Sequence, residues 1–199
     1  MKKIIMPLVI MVVIATLMTI TGLSCKQQPF KLPGSLVPPE QVLPQLPQED
    51  PQPFPVTERK EKGDTAPDFT LQTIDGQTLT LSQFLGKNVV LNFWVSTCPA
   101  CLEELPLFQA IYNKLPTDKT VILAVNAGER DKIVQYEAQR MKLTFPVLLD
   151  PDGKVCKSYG RGSPTTFFID NKGTIIEIVD EVFEDPKEIE NILKIWRWL

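Results

Sequence analysis

Apolar and polar positions change rhythm three times along the chain. Behind Lys2 and Lys3, apolar residues run almost unbroken from Ile4 to Ile20. Between Pro29 and Pro55 the pattern dissolves, because nine of those 27 residues are proline and proline supports neither a helix interior nor a ladder. From Thr57 to Leu199 short alternating and periodic stretches return, the mark of a folded domain.

Within that domain the segments Asp68–Ile74 and Gln77–Leu81 alternate as strands around Asp75-Gly76, a hairpin signal. Val89–Val95 is nearly continuous in apolar residues, as in a strand covered on both faces. A helix is predicted over Pro99–Leu115 with Pro106 inside it, then a strand over Thr120–Asn126 and a helix over Arg130–Met141. A strand over Phe145–Leu149 and a short helix over Lys154–Tyr159 follow. Thr165–Ile169 and Thr174–Val179 form a second hairpin around Asn171-Lys172-Gly173. The last helix begins at Pro186 and aligns Ile189, Ile192, Leu193 and Trp196 on one face, leaving Trp198 off that face and at the surface. Strands alternating with helices, then a hairpin and a closing helix, define an α/β fold with a mixed β-sheet flanked by helices.

Composition narrows the function classes. Hydrophobic residues make up 43% and charged residues 23% of the 199, enough for a real core. A net charge of −3 speaks against an electrostatic nucleic-acid partner. The chain has no histidine, which removes Cys-His nucleophile pairs, histidine metal ligands and the C-x-x-C-H haem attachment motif. Four cysteines, Cys25, Cys98, Cys101 and Cys156, are too few to staple a domain of this size.

The order basic, apolar, small in residues 1–25 is that of a secretory signal. Three readings stay open: lipidation of Cys25 after cleavage, an uncleaved anchor helix, or simple secretion. Ser24 suits a lipoprotein signal, whereas Gly22 and Leu23 stand one place away from the usual order. All three readings send the domain outside the cytoplasm. Residues 26–56 read as a proline-rich spacer which, at ~3.1 Å per residue, reaches roughly 80 Å. The folded domain is 57–199.

Cys98-Pro99-Ala100-Cys101 sits where a buried strand hands over to a helix. Cysteines three apart at a helix start lie on one side, within disulfide reach. Unpaired backbone N–H groups and the helix dipole favour a thiolate at Cys98, and Pro99 suits the first helical position. Cys98 is therefore the candidate attacking thiol and Cys101 the resolving one. A zinc site lacks ligands; a static disulfide is the competing reading. Glu104, three residues past Cys101, returns to the same helix face; if partly buried there its pKa would rise and it could exchange a proton with Cys101, and the competing reading is that it only follows the helix surface. Glu103 reads as solvated, and Cys156 as a small core residue or else a third redox thiol.

In Gly162-Ser163-Pro164-Thr165-Thr166-Phe167 a proline stands directly before an apolar strand, awkward unless it serves a turn or a cis peptide, and read alone it suits an ordinary trans loop. Taken with Gly63–Phe69, Asp75-Gly76, Leu91–Trp94, the C-x-x-C pair, Glu104 and Pro106, the set resembles the TlpA/ResA/CcmG branch of extracytoplasmic thioredoxin-like thiol–disulfide oxidoreductases. The resemblance covers all of 57–199. It implies a thioredoxin-like fold with an N-terminal hairpin and a central helix–strand insertion at Arg130–Leu149. It also implies that Ser163 and Pro164 form a cis-proline loop that faces the disulfide and binds partner backbone, and that Glu104 tunes proton transfer. By resemblance the protein needs no cofactor or metal. Its partners are protein thiols and disulfides, apocytochrome c among them, with a membrane electron donor, and its direction is reductive.

One departure is Thr97, where the family usually has tryptophan before the first cysteine. Two relatives of the same fold fit less well. The peroxiredoxin signature P-x-x-x-T-x-x-C, counted back from Cys101, meets Cys98 and Trp94 instead. Copper-delivery proteins of this fold use C-x-x-x-C and a histidine, and the chain has neither.

Overall fold

The structure, a computed structural model, describes residues 58–199. The segments 1–25, with Cys25, and 26–56 lie outside the described residues. In chain order the domain contains β1 (Thr70–Thr73), β2 (Thr78–Thr80), a 3-10 turn (Leu81–Phe84), β3 (Asn88–Trp94), α1 (Pro99–Tyr112), β4 (Thr120–Ala127) and α2 (Asp131–Arg140). It continues with β5 (Val147–Asp150), α3 (Lys154–Ser158), β6 (Thr165–Ile169), β7 (Ile175–Val179) and α4 (Pro186–Ile195). All seven strands share one sheet, ordered β2-β1-β5-β4-β3-β6-β7. The pairs β3–β4 and β4–β5 are parallel, and the others are antiparallel, so the sheet is mixed as the pattern predicts.

The two faces of β3 explain its unbroken apolar run. Val90 and Trp94 join a core layer with Leu105 and Phe108 of α1, Val134 and Ala138 of α2, and Ile189 and Leu193 of α4. Val89, Leu91 and Phe93 point the other way, into a second layer with Tyr159, Phe167 and Ile175. Pairing Leu91 with Leu123 on one side and Phe167 on the other places this strand at the centre. Burying each such side chain is worth about 1.5–3 kcal/mol, so both layers contribute.

Helix ends follow local chemistry. Asp185 caps α4 by accepting from the Lys187 N–H at 2.8 Å, with Pro186 at the first turn. The predicted helix to Leu115 stops at Tyr112. There the Lys114 and Leu115 N–H groups bond only three residues back, to Ile111 and Tyr112, as the residues before Pro116 leave the helical region. Pro106 stays inside α1 on its exposed side.

Two tryptophans exchange the places expected of them. Trp196 is 41% exposed, whereas Trp198 is 6% exposed and packs near Phe168 with ring centroids 6.1 Å apart. The reason lies after the helix. Arg197 adopts φ 59, and the Trp198 N–H reaches back to the Leu193 carbonyl at 2.8 Å. The reversal follows Trp196, whose N–H still bonds the Ile192 carbonyl at 3.2 Å, and it folds Trp198 onto the core.

Candidate active site

β3 leaves the sheet at Trp94, and four residues later Cys98 caps α1 in an extended conformation, φ −99 and ψ 105. The Cys101 N–H donates to Cys98 Sγ at 3.2 Å, so one orphan donor of the helix start points at the sulfur. Cys98 and Cys101 form a disulfide with Cα atoms 5.3 Å apart. Cys98 is half-buried; Cys101 is completely buried in the layer between α1 and the sheet. Thr97 beside them is exposed.

Beneath the disulfide lies a buried polar group in an otherwise apolar layer. Glu104 is 0% exposed. Its Oε1 accepts from Asn92 Nδ2 at 2.7 Å, and its Oε2 from the Phe183 N–H at 3.4 Å. Desolvation pushes its pKa up to about 7, partly offset by those two donors. Asn92 Nδ2 also donates to Thr166 Oγ1 at 3.0 Å, its cross-strand partner on β6. A carboxyl so placed can hold or release a proton near neutral pH, one helical turn from Cys101.

The Ser163–Pro164 peptide bond is cis. Pro164 immediately precedes β6, and Thr165 at its start pairs with Phe93 near the end of β3. The proline loop and the C-x-x-C turn therefore emerge from the same edge of the sheet. A groove of ≈ 350 Å³ runs beside the loop, lined by Arg59, Gly160, Arg161, Ser163, Pro164 and Asp180 among others. A more apolar cavity of ≈ 210 Å³ near Leu81, Leu85 and Val89 sits at the other end of β3, away from the cysteines.

Glu129 is a site residue that the sequence reading missed. Its carboxylate accepts from the Ser96 N–H at 2.7 Å, the Ser96 hydroxyl at 2.6 Å and Asn126 Nδ2 at 2.6 Å. It thereby fixes the loop that delivers Cys98. The available signal was topological: neighbouring parallel strands end at one edge, and polar residues just past such ends line a site. Cys156 lies elsewhere. It packs under the second core layer, on the opposite face of the sheet, and its thiol pKa is raised by burial and by Asp150.

Comparison with known proteins agrees with this geometry. The AhpC/TSA family matches residues 62–178. The chain belongs to that family, on its ResA-like thiol–disulfide oxidoreductase branch. The thiol–disulfide oxidoreductase ResA of Geobacillus thermodenitrificans is 41% identical over 118 residues, which are 59% of this chain and 68% of that one. Among solved structures, StoA from Bacillus subtilis superposes with a TM-score of 0.56 at 30% identity, covering 63% of this chain and 96% of StoA. The exposed lipoprotein thioredoxin of Streptococcus pneumoniae gives 0.54 at 35% identity, covering 64% and 98%. The thioredoxin-like fold and the oxidoreductase class inferred from the motifs are thus established for the chain.

Proposed function

We propose that this oxidoreductase is anchored at the outer face of the cell membrane and reduces disulfides in partner proteins, apocytochrome c among them. The carrying observation is the asymmetry of the two cysteines: Cys98 is half-buried at a helix start, and Cys101 is sealed behind it. A half-accessible thiolate attacks, and a buried neighbour resolves. Anchoring is supported by the basic-apolar-small order ending at Cys25 and by likeness to a solved protein described as an exposed lipoprotein. A reductive direction rests on the family resemblance.

In this reading the Cys98 thiolate attacks one sulfur of a partner disulfide; that S–S bond breaks, and the partner's other sulfur leaves as a thiolate that takes a proton. Cys101 then gives its proton to the Glu104 carboxylate and attacks Cys98 Sγ. The mixed disulfide breaks, the second partner sulfur leaves, and the Cys98–Cys101 disulfide forms. Two electrons have passed to the partner. A membrane dithiol donor restores the reduced protein. Ser163 and Pro164 hold the partner's backbone beside Cys98, the role the resemblance implies for them.

Replacing Cys101 by serine tests the scheme, because the mixed disulfide at Cys98 can then no longer be resolved. Membranes expressing Cys101→Ser should accumulate a reductant-sensitive adduct that is absent from Cys98→Ser. If no such adduct forms and the purified wild type also fails to exchange with a peptide disulfide, the pair is a static crosslink.

A further inference from the structure

We propose that Gly160 and Arg161 fasten the leading segment Glu58–Glu61 onto the proline loop, so that Arg59 of that segment lines the partner groove and Arg161 is the positioning residue. The proposal rests on the reading of Pro164 as the edge where a partner docks. Arg161 has a side chain only 6% exposed. Its Nε and Nη2 donate to the Lys60 carbonyl at 3.2 and 2.8 Å, and its guanidinium lies 5.9 Å from the centre of the Phe167 ring. The same group pairs with Glu61 at 3.1 Å and with Asp180. Asp180 in turn binds Arg59 at 2.6 Å and accepts from the Thr165 hydroxyl at 3.2 Å. Thr165 is the residue after Pro164, so the contacts form a closed chain from the leading segment to the docking edge.

Gly160 reports the same contact independently. It adopts φ +67, and a Cβ there would stand 2.6 Å from the Arg59 Cα and 3.0 Å from its nitrogen. Backbone lies on backbone, and the Lys60 N–H donates to the Tyr159 carbonyl at 3.1 Å across the same seam. Arg59 and Arg161 are balanced by Glu61 and Asp180 within the cluster. With no net charge to attract a partner, its effect is to hold the groove in one shape before docking, which lowers the ordering cost of binding.

Two substitutions loosen the seam through different causes. Arg161→Met removes the clamp, and Gly160→Ala inserts a methyl between the two backbones. Reduced wild type and variants are mixed with a disulfide-linked dimer of a short blocked cysteine peptide, and separately with dithiobis(nitrobenzoate), which has no peptide backbone for the groove to hold. In both variants the ratio of the peptide rate to the aromatic-disulfide rate should fall about tenfold, while the pH profile of Cys98 alkylation stays in place. Should either variant fail to fold, Arg161→Lys, which retains the charge and loses the two-point grip, decides with a smaller fall in the same ratio. An unchanged ratio, or equal loss on both disulfides, overturns the proposal. A wild type inert toward the peptide would instead strike the functional reading beneath it.

Discussion

Replacing Glu104 by glutamine should stabilise the oxidised protein at alkaline pH and leave it nearly unchanged at acid pH. Glu104 is fully buried, and desolvation lifts its pKa from 4.5 to about 7 in the folded protein. Because the folded pKa is the higher one, the folded state binds more protons than the unfolded state between these values. The stability that Glu104 contributes is therefore present below pH 4.5 and is lost as pH rises through about 7. At about 1.4 kcal/mol per tenfold change in proton affinity, the loss is about 3 kcal/mol. Glutamine has no charge to desolvate and escapes it, less whatever its amide forfeits against Asn92 Nδ2 and the Phe183 N–H. In a domain of this size that corresponds to a melting shift on the order of 10 °C. Urea unfolding of both proteins with the disulfide closed, from pH 5 to pH 8.5, measures the difference. It should open between the two pKa values and level off above the higher one. Two stability curves that stay parallel across the range would refute the reasoning, because burial would then impose no charge penalty on Glu104.

Three further outcomes are expected. Alkylation of the reduced protein should show a Cys98 midpoint below the ~8.5 of a free thiol, because the Cys101 N–H and the helix start favour the thiolate; a midpoint at or above that value removes Cys98 as nucleophile. Trp198→Ala should cost about 3–5 kcal/mol and Trp196→Ala less than about 1 kcal/mol, since only the first is buried against Phe168; paired denaturant midpoints decide, and equal losses would contradict the reversal at Arg197. If Cys25 carries the anchor lipid, Cys25→Ala should lose an acyl mass and change membrane fractionation; identical masses and fractions exclude lipidation.

Much of the domain was legible because its signals are local. The apolar run of β3 has the length and composition of a central strand, and Asp75-Gly76 and Asn171-Lys172-Gly173 have the turn chemistry to close hairpins. Cys98 and Cys101 declare themselves because three-residue spacing at a helix start puts two thiols on one side, whatever surrounds them. Glu104 could be placed on the face of α1 that carries Cys101 for the same reason, although periodicity is silent on how deeply a face is buried.

Other features were decided by contacts between segments far apart in the chain. The high pKa of Glu104 depends on the sheet and the Phe183 loop closing over it while offering few donors. Glu129 reaches Ser96 only because β3 and β4 run parallel and end together. The exchange of Trp196 for Trp198 turns on the left-handed backbone of Arg197, a residue with no intrinsic preference for it. Sequence by itself determined which residues can do the chemistry, since that follows from residue type and local spacing. Tertiary structure decided how strongly each is desolvated and what touches it, because burial and long-range hydrogen bonds belong to the packed chain and not to any stretch of it.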